Sequence, residues 1–312
     1  MIRVFFYLAF LLVFSLISCG GEEKNEKIKD TPVSGELRIY ADESFLPIIE
    51  AQAGTFQYSY PKATIKLECF SETEVITKFL NKETEAIVTG RDLTDDERNY
   101  IKDLERTFAI HKIATDAVAF IVHKDFPLDE LSKEQILAVF AGQHKKWESL
   151  DHKLSSQNID IVFDRSGSSN YKILTDSLHF NKENLNVFAA GTNEKVFEYV
   201  RSHPEALGII GANWISDYDD PQVKERLKHV KVLDVSVKNQ EGVYVAYNPF
   251  QSDLMTDHYP FLRNIYYINY TSRTGLPTGL ASFILSDRGQ RIMLKSGLMP
   301  AQIPAREIQI RN

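Results

Sequence analysis

The chain has 312 residues, and its 36 lysines and arginines face 43 aspartates and glutamates, a formal charge of −7. That length builds one large or two modest domains with real cores, while the absence of a basic stripe excludes nucleic acid as a partner. With two cysteines, Cys19 just after the apolar N-terminal run and Cys69, no internal disulfide is expected; no Cys/His spacing suits zinc, so neither a metal nor another cofactor is expected.

The opening "MIRVFFYLAFLLVFSLISCGG" carries one early arginine and an apolar run from Val4 to Ile17, then turns to small residues. Such a run is short for a bilayer span and reads as a secretory signal over residues 1–18. Leu16-Ile17-Ser18-Cys19 is similar to a bacterial lipobox, which makes Cys19 the lipidation site and predicts an exported protein anchored in the cell envelope, facing the periplasm or the cell surface. Residues 19–35 mix charges of both signs with few apolar side chains and are expected to form a flexible linker.

From there short β-branched runs alternate with amphipathic stretches, the pattern of an α/β fold. "LRIYA" reads as a strand, after which Ser44 is expected to cap a helix through Pro47 toward Phe56. "TIKLECF" is a second strand leading through Ser71 into the helical "ETEVITKFLNK". "EAIVTG" is a third, followed by Gly90-Arg91-Asp92 and the charged "LTDDERNYIKDL". In "LSKEQILAVFAG", Ser132 and Gln135 fit a capping box and Gly142 a helix stop. "IDIVFD" then runs into "RSGSSNYKIL", where Arg165, the hydroxyls of Ser166, Ser168 and Ser169, and the backbone N–H groups are all donors, a set that suits an oxyanion. Thr192 opens a helix stopped at His203-Pro204, "LGIIG" is a buried strand, "HYPFLRNIYYINY" is strand-like, and the last stretch gives two helices broken near Ser286.

A serine at one strand–helix junction is a favoured cap and needs no ligand. Several such junctions together matter more, because open α/β sheets bind ligands beyond the carboxyl ends of their strands.

The order "ATDAVAFIVHKDFPL", "LSKEQILAVFAGQHKKWESL", the serine-rich loop, "ALGIIG", "YPFLRNIYYI" and "SDRGQRIMLKSGLMP" resembles the phosphate-binding protein family of bacterial ABC importers, over nearly the whole mature chain. The resemblance implies a type II periplasmic-binding-protein fold: two α/β lobes joined by two crossing strands, with the ligand cleft between them. Residues 36–113 and 241–312 would form lobe 1 and residues 114–240 lobe 2, with crossings near "IHKIATDAVAFIV" and "VKVLDVSVKNQEGVYVAY". It further implies a monomer that binds phosphate or a similar oxyanion and delivers it to an ABC permease in the inner membrane, with no catalytic residue.

Carried over by position, the family's phosphate loops fall at Ser44 and Phe45, at Ser71, within Gly90-Arg91-Asp92, and at Ser168, Ser169 and Asn170. Asp92 would accept from a protonated phosphate oxygen, or Arg91 would be the counter-charge. The family's arginine stands four residues before the first donor of its last loop; Arg165 stands three before Ser168, and Asp164 takes the four-before place. Glu72 and Glu74 replace the usual glycines after Ser71, and Asp42 and Glu43 precede Ser44. A carboxylate about 4 Å from a phosphate oxygen costs roughly 4 kcal/mol at an effective dielectric near 20. The same acids equally suit helix first turns. A phosphorylated or zwitterionic ligand, or a protein partner of a surface lipoprotein, is therefore the alternative. A phosphatase is disfavoured, since no nucleophile–base pair or G-x-S-x-G elbow is visible.

Overall fold

The computed structural model describes residues 29–175 and 185–304. Cys19, the leader and the first part of the expected linker lie outside the described residues. Among the described residues thirteen strands are formed: β1 (Gly35–Asp42), β2 (Ala63–Phe70), β3 (Ala86–Thr89), β4 (Phe108–His123), β5 (Glu130–Ser132), β6 (Asp160–Phe163), β7 (Asn186–Ala189), β8 (Ala206–Gly211), β9 (Val230–Val232), β10 (Asp234–Lys238), β11 (Tyr244–Tyr247), β12 (Leu262–Tyr270) and β13 (Met299–Pro300). The main sheet runs β2-β1-β3-β12-β4-β8-β6-β7.

Strand β1 pairs in parallel with β2 and β3, and β6 with β7 and β8, while β12 is antiparallel to β3 and β4. The two parallel sets form two lobes. Strand β4 belongs to both, pairing with β12 through Phe108–Ala117 and with β8 through Val118–Ile121. It is the crossing expected near "IHKIATDAVAFIV".

In lobe 1, alternate residues of the sheet feed opposite cores: Leu37, Ile39 and Val88 pack with Ile48, Phe56 and Leu280 on one face, and Tyr40 and Ile87 with Phe79 and Ile101 on the other. That period of two is why both faces are covered by helices. The second lobe closes around Phe120, Phe140, Phe163, Ile209 and Trp147, whose Nε1 donates to the Glu205 carbonyl at 3.0 Å.

The structure differs from the sequence reading at three places. Strands β10 and β11 form a small sheet with β5, and Leu254, Tyr259 and Phe261 join the core of the second lobe. The return crossing therefore falls at the start of β12, about twenty residues after the boundary expected at 241. Residues 30–35 are docked rather than forming a leash: Asp30 pairs with Arg273 and accepts from the Leu276 N–H at 3.0 Å, and Thr31 and Ser34 bridge just before β1. Finally, Ser44 does not cap the helix. A short 3₁₀ turn over Glu43–Phe45 intervenes, capped by the Asp42 side chain, and helix α1 starts at Leu46 and runs to Ser59.

The other signals formed as predicted. Ser71 caps α2 (Glu72–Leu80), Ser132 heads a capping box on α4 (Lys133–Phe140), and Gly142 has a φ of 73°; Thr94, not singled out in the sequence, heads a capping box on α3 (Asp95–Asp103). Ser286 separates the two last helices, Leu276–Leu285 and Asp287–Lys295.

The docked segment has a sharp test. A Cβ on Gly279 would fall onto the Pro32 carbonyl. Gly279→Ala should displace residues 30–35 and cost about 1–3 kcal/mol, read by urea denaturation. A variant as stable as the parent would show that the segment yields freely.

Candidate functional site

The carboxyl ends of β1, β2 and β3 face those of β6, β7 and β8, so the loops that follow them meet across the gap between lobes. Burial marks this place without reference to any family. Among the described residues, the buried charged side chains are Asp42, Glu43, Glu72, Asp116, Asp164 and Arg263. Hydrogen bonds and neighbouring charges link all six in one cluster. Buried charge is costly, and its concentration in one cleft is the signature of a working site.

Arg263 forms the floor. It faces Asp116 directly across the β4–β12 ladder, and its Nη2 donates to Asp116 Oδ2 at 2.8 Å. Its Nη1 donates to Ser169 Oγ and to Asn170 Oδ1, both at 2.7 Å, and its guanidinium lies 4.4 Å from the centre of the Phe45 ring. Asp116 also accepts from the backbone N–H and side-chain amide of Asn213, at 3.1 and 2.9 Å.

Above this floor the lobes are joined by hydrogen bonds. Asp42 Oδ1 accepts from the Ser44 N–H and hydroxyl at 3.2 and 3.1 Å, and its Oδ2 accepts from the Ser169 N–H of the other lobe at 2.8 Å. The Ser44 hydroxyl also lies 3.0 Å from Asp164 Oδ2, and Ser168 Oγ donates to Asp164 Oδ1 at 2.6 Å. Glu43 accepts from the Asn193 N–H at 3.0 Å and from its amide at 2.5 Å. The Ser44 carbonyl accepts from Asn213 Nδ2 and Trp214 Nε1. Glu72 accepts from the Gly90 N–H at 2.7 Å, and a Cβ on Gly90 would stand only 2.7 Å from that of Ser169, so glycine is what lets this loop come so close.

Ser44, Phe45, Ser168, Ser169 and Asn170 are thus brought together. Ser71 lies beside them but is engaged as the α2 cap, its hydroxyl donating to Glu74 at 2.7 Å. Arg91 and Asp92 are turned to α3: Arg91 makes a two-pronged pair with Glu97, and Asp92 pairs with Arg98 at 2.5 Å. Arg165 bridges the rim, donating to the Gly191 carbonyl at 2.5 Å and to that of Cys69 at 3.5 Å. The sequence reading passed over Asp116, Arg263, Asn193, Asn213 and Trp214. A usable signal existed for the first two, since each is a lone charge inside an apolar strand, "ATDAVAFIV" and "FLRNIYYI".

Burial pushes the Glu43 carboxyl up to about 7, with Asp164 and Asp42 adding and the Asn193 bonds opposing. Burial likewise raises Glu72 to about 7, with Asp42 adding and the Gly90 N–H opposing. Asp164 is raised as well, by burial first and Asp42 second. Burial pushes the Cys69 thiol up to about 12, so it stays protonated and unreactive near neutrality. Among the described residues no cluster of three or more His, Cys, Asp or Glu is arranged to hold a metal.

A two-lobed α/β protein with strand ends facing across a charged cleft has the periplasmic-binding-protein fold, which holds small ligands between its lobes. The PBP superfamily domain matches residues 29–288, and the chain belongs to that superfamily. It is similar to the phosphate-binding protein PstS of Staphylococcus haemolyticus, 25% identical over 229 residues covering 72% of this chain and 70% of the relative. It is also similar to PstS of Staphylococcus aureus, 24% identical over 278 residues covering 88% and 80%. Among solved structures, a Clostridium perfringens protein described as a phosphate ABC transporter substrate-binding protein with bound phosphate superposes with a TM-score of 0.70, at 22% identity, covering 86% of this chain and all of that one. A phosphate transport receptor from Vibrio cholerae gives 0.61 at 18% identity, covering 85% and 100%.

Two expectations follow from the cluster. Glu43 and Glu72 bind protons more tightly folded than unfolded, where the carboxyl value is near 4.5, so their contribution is complete below that value and is lost as pH rises through about 7. Half-buried His111, lowered by burial, acts in the opposite sense. The melting temperature should be higher at about pH 5.5 than at about pH 8, and the double change Glu43→Gln with Glu72→Gln should flatten that difference. An equal slope in that variant would place the titration elsewhere. Arg263→Ala, which leaves Asp116 buried without its partner, should cost about 3–5 kcal/mol in denaturant unfolding; a loss below about 1 kcal/mol would mean that Asn213 alone satisfies Asp116.

Proposed function

We propose that this protein is the exported substrate-binding component of an ABC importer, tethered through a lipid on Cys19, and that it takes phosphate or a close oxyanion between its lobes. It acts as a monomer, by capture and release to an inner-membrane permease rather than by chemistry. The observation that carries the reading is the convergence of the Ser44, Ser169 and Gly90 N–H groups on oxyanion oxygens, those of Asp42 and Glu72. Loops that aim backbone donors from both lobes at carboxylate oxygens form a cradle for oxyanions. The names of the Staphylococcus relatives and the phosphate bound in the Clostridium protein support phosphate as the ligand.

The residues assigned to the ligand are Ser44, Phe45, Ser168, Ser169 and Asn170, with Ser71 at the edge and Arg263 as the counter-charge from below. Arg165 stands at the rim, where it joins the lobes. Arg91 and Asp92, committed to α3, act on the loop rather than on the ligand. A micromolar site needs about 8 kcal/mol net, within reach of several charge-assisted hydrogen bonds from preformed loops.

A second reading draws on the charge balance. Among the described residues five buried carboxyl groups surround one guanidinium, an excess of acid that favours a zwitterionic small molecule, its anionic end on the donors and its cationic end toward Glu43 and Glu72, which it would help to ionise.

Isothermal titration calorimetry of the chain from residue 20 onward, freed of ligand by unfolding and refolding, tests both. Micromolar phosphate binding with sulfate rejected is expected, and Ser168→Ala with Ser169→Ala should weaken it at least tenfold, because buried oxygens lose their partners. Silence toward both anions would turn the search to zwitterions.

A further inference from the structure

We infer that Asp42 is an internal ligand of the cleft: its carboxylate takes the place of an oxyanion on the donors of both lobes, so it latches the lobes together and sets the affinity for any external anion. The inference rests on the oxyanion reading for the identity of the competitor, though not for the latch itself.

The side chain is fully buried. One oxygen, Oδ1, does a local task, accepting from the N–H and hydroxyl of Ser44 two residues on, as a turn cap does. Capping leaves the other oxygen unexplained. Oδ2 accepts at 2.8 Å from the N–H of Ser169, 127 residues away and on the opposite lobe, in the loop that supplies the other anion donors. The two oxygens of a carboxylate span nearly the same edge as two oxygens of a tetrahedral oxyanion, so the donors that meet Asp42 are geometrically those that would meet an external one. The neighbouring cross-lobe contacts follow the same plan: Glu43 takes the Asn193 N–H, and the Ser44 hydroxyl reaches Asp164. The charged side chains facing this point are Glu43 and Glu72 from lobe 1, Asp164 from lobe 2, and Arg263 beneath with its partner Asp116.

An external oxyanion must displace this carboxylate or lie against it, and either course weakens binding. Removing the internal ligand therefore frees the donors and loosens the lobes, so that closure becomes dependent on the external anion.

The test compares the parent chain with Asp42→Ala and Asp42→Asn, each stripped of ligand, by small-angle scattering and by calorimetric titration with inorganic phosphate. Asp42→Ala should show a larger radius of gyration than the parent before phosphate is added, contract when it is added, and bind at least tenfold tighter. Asp42→Asn, which keeps an acceptor while losing the charge, should change in the same direction by less, and it decides the matter should the alanine variant fail to fold. A variant no more open than the parent and binding phosphate no more tightly overturns the inference and leaves the oxyanion reading standing. A variant that opens while neither protein binds phosphate keeps the latch and removes the oxyanion reading.

Discussion

Arg263 is the one buried cation among the described residues, and the cleft is arranged around it. Its position comes from β12, the return crossing, opposite Asp116 on β4, the outward crossing, so the ion pair lies where the two lobes are covalently joined. Both partners are almost entirely out of water, at 4% and 0% exposure, and such a pair persists only when its remaining hydrogen-bonding capacity is used. Here it is: Asn213 completes Asp116, while Ser169 and Asn170 complete the guanidinium. The serine-rich loop is therefore fixed from beneath by a charge belonging to the hinge.

Subtracting the Asp116–Arg263 pair leaves four buried carboxyl groups, Asp42, Glu43, Glu72 and Asp164, with no buried cation among the described residues to offset them. Four ionised carboxylates in such a space are not sustainable, and the upward displacement of Glu43, Glu72 and Asp164 is the molecule's response. Hydrogen counting agrees with this. The Ser44 hydroxyl has one hydrogen and stands within 3.1 Å of an oxygen of Asp42 and of Asp164, so a proton on the raised Asp164 carboxyl lets it donate to Asp42 and accept from Asp164. Protons are thus structural components of the cleft near neutral pH, and a ligand that adds negative charge would draw more of them in.

The scaffold was legible in the sequence because it depends on local signals that tertiary contacts reinforce. The caps at Ser71 and Ser132 and the break at Ser286 are each decided within four residues. Where the outcome depended on distant partners the reading slipped. Ser44 lost its capping role because Asp42 capped first, and residues 30–35 were ordered by Arg273 and Leu276, some 240 residues away. The β10–β11 hairpin looks the same in sequence whichever lobe it joins; only its pairing with β5 assigns it. The serines of the cleft were found from composition, but Asp116 and Arg263 required knowing that two apolar strands lie side by side in the register that sets one against the other.

A fold shared with phosphate-binding relatives at 24–25% identity fixes where a ligand sits and leaves its chemistry to a few loop positions. In the family pattern an arginine stands four residues before the first donor of the last loop, and this chain has Asp164 there. Arg263 supplies a positive charge to that loop, donating to Ser169 and Asn170. Arg263 has Asp116 on two of its nitrogens and the loop's own side chains on the third, so its charge is largely spent on the protein. The backbone N–H groups remain as the principal donors to a ligand, and these are the groups that Asp42 and Glu72 occupy. On the oxyanion reading, selectivity in this cleft turns on whether these few N–H groups hold an internal carboxylate or an external anion.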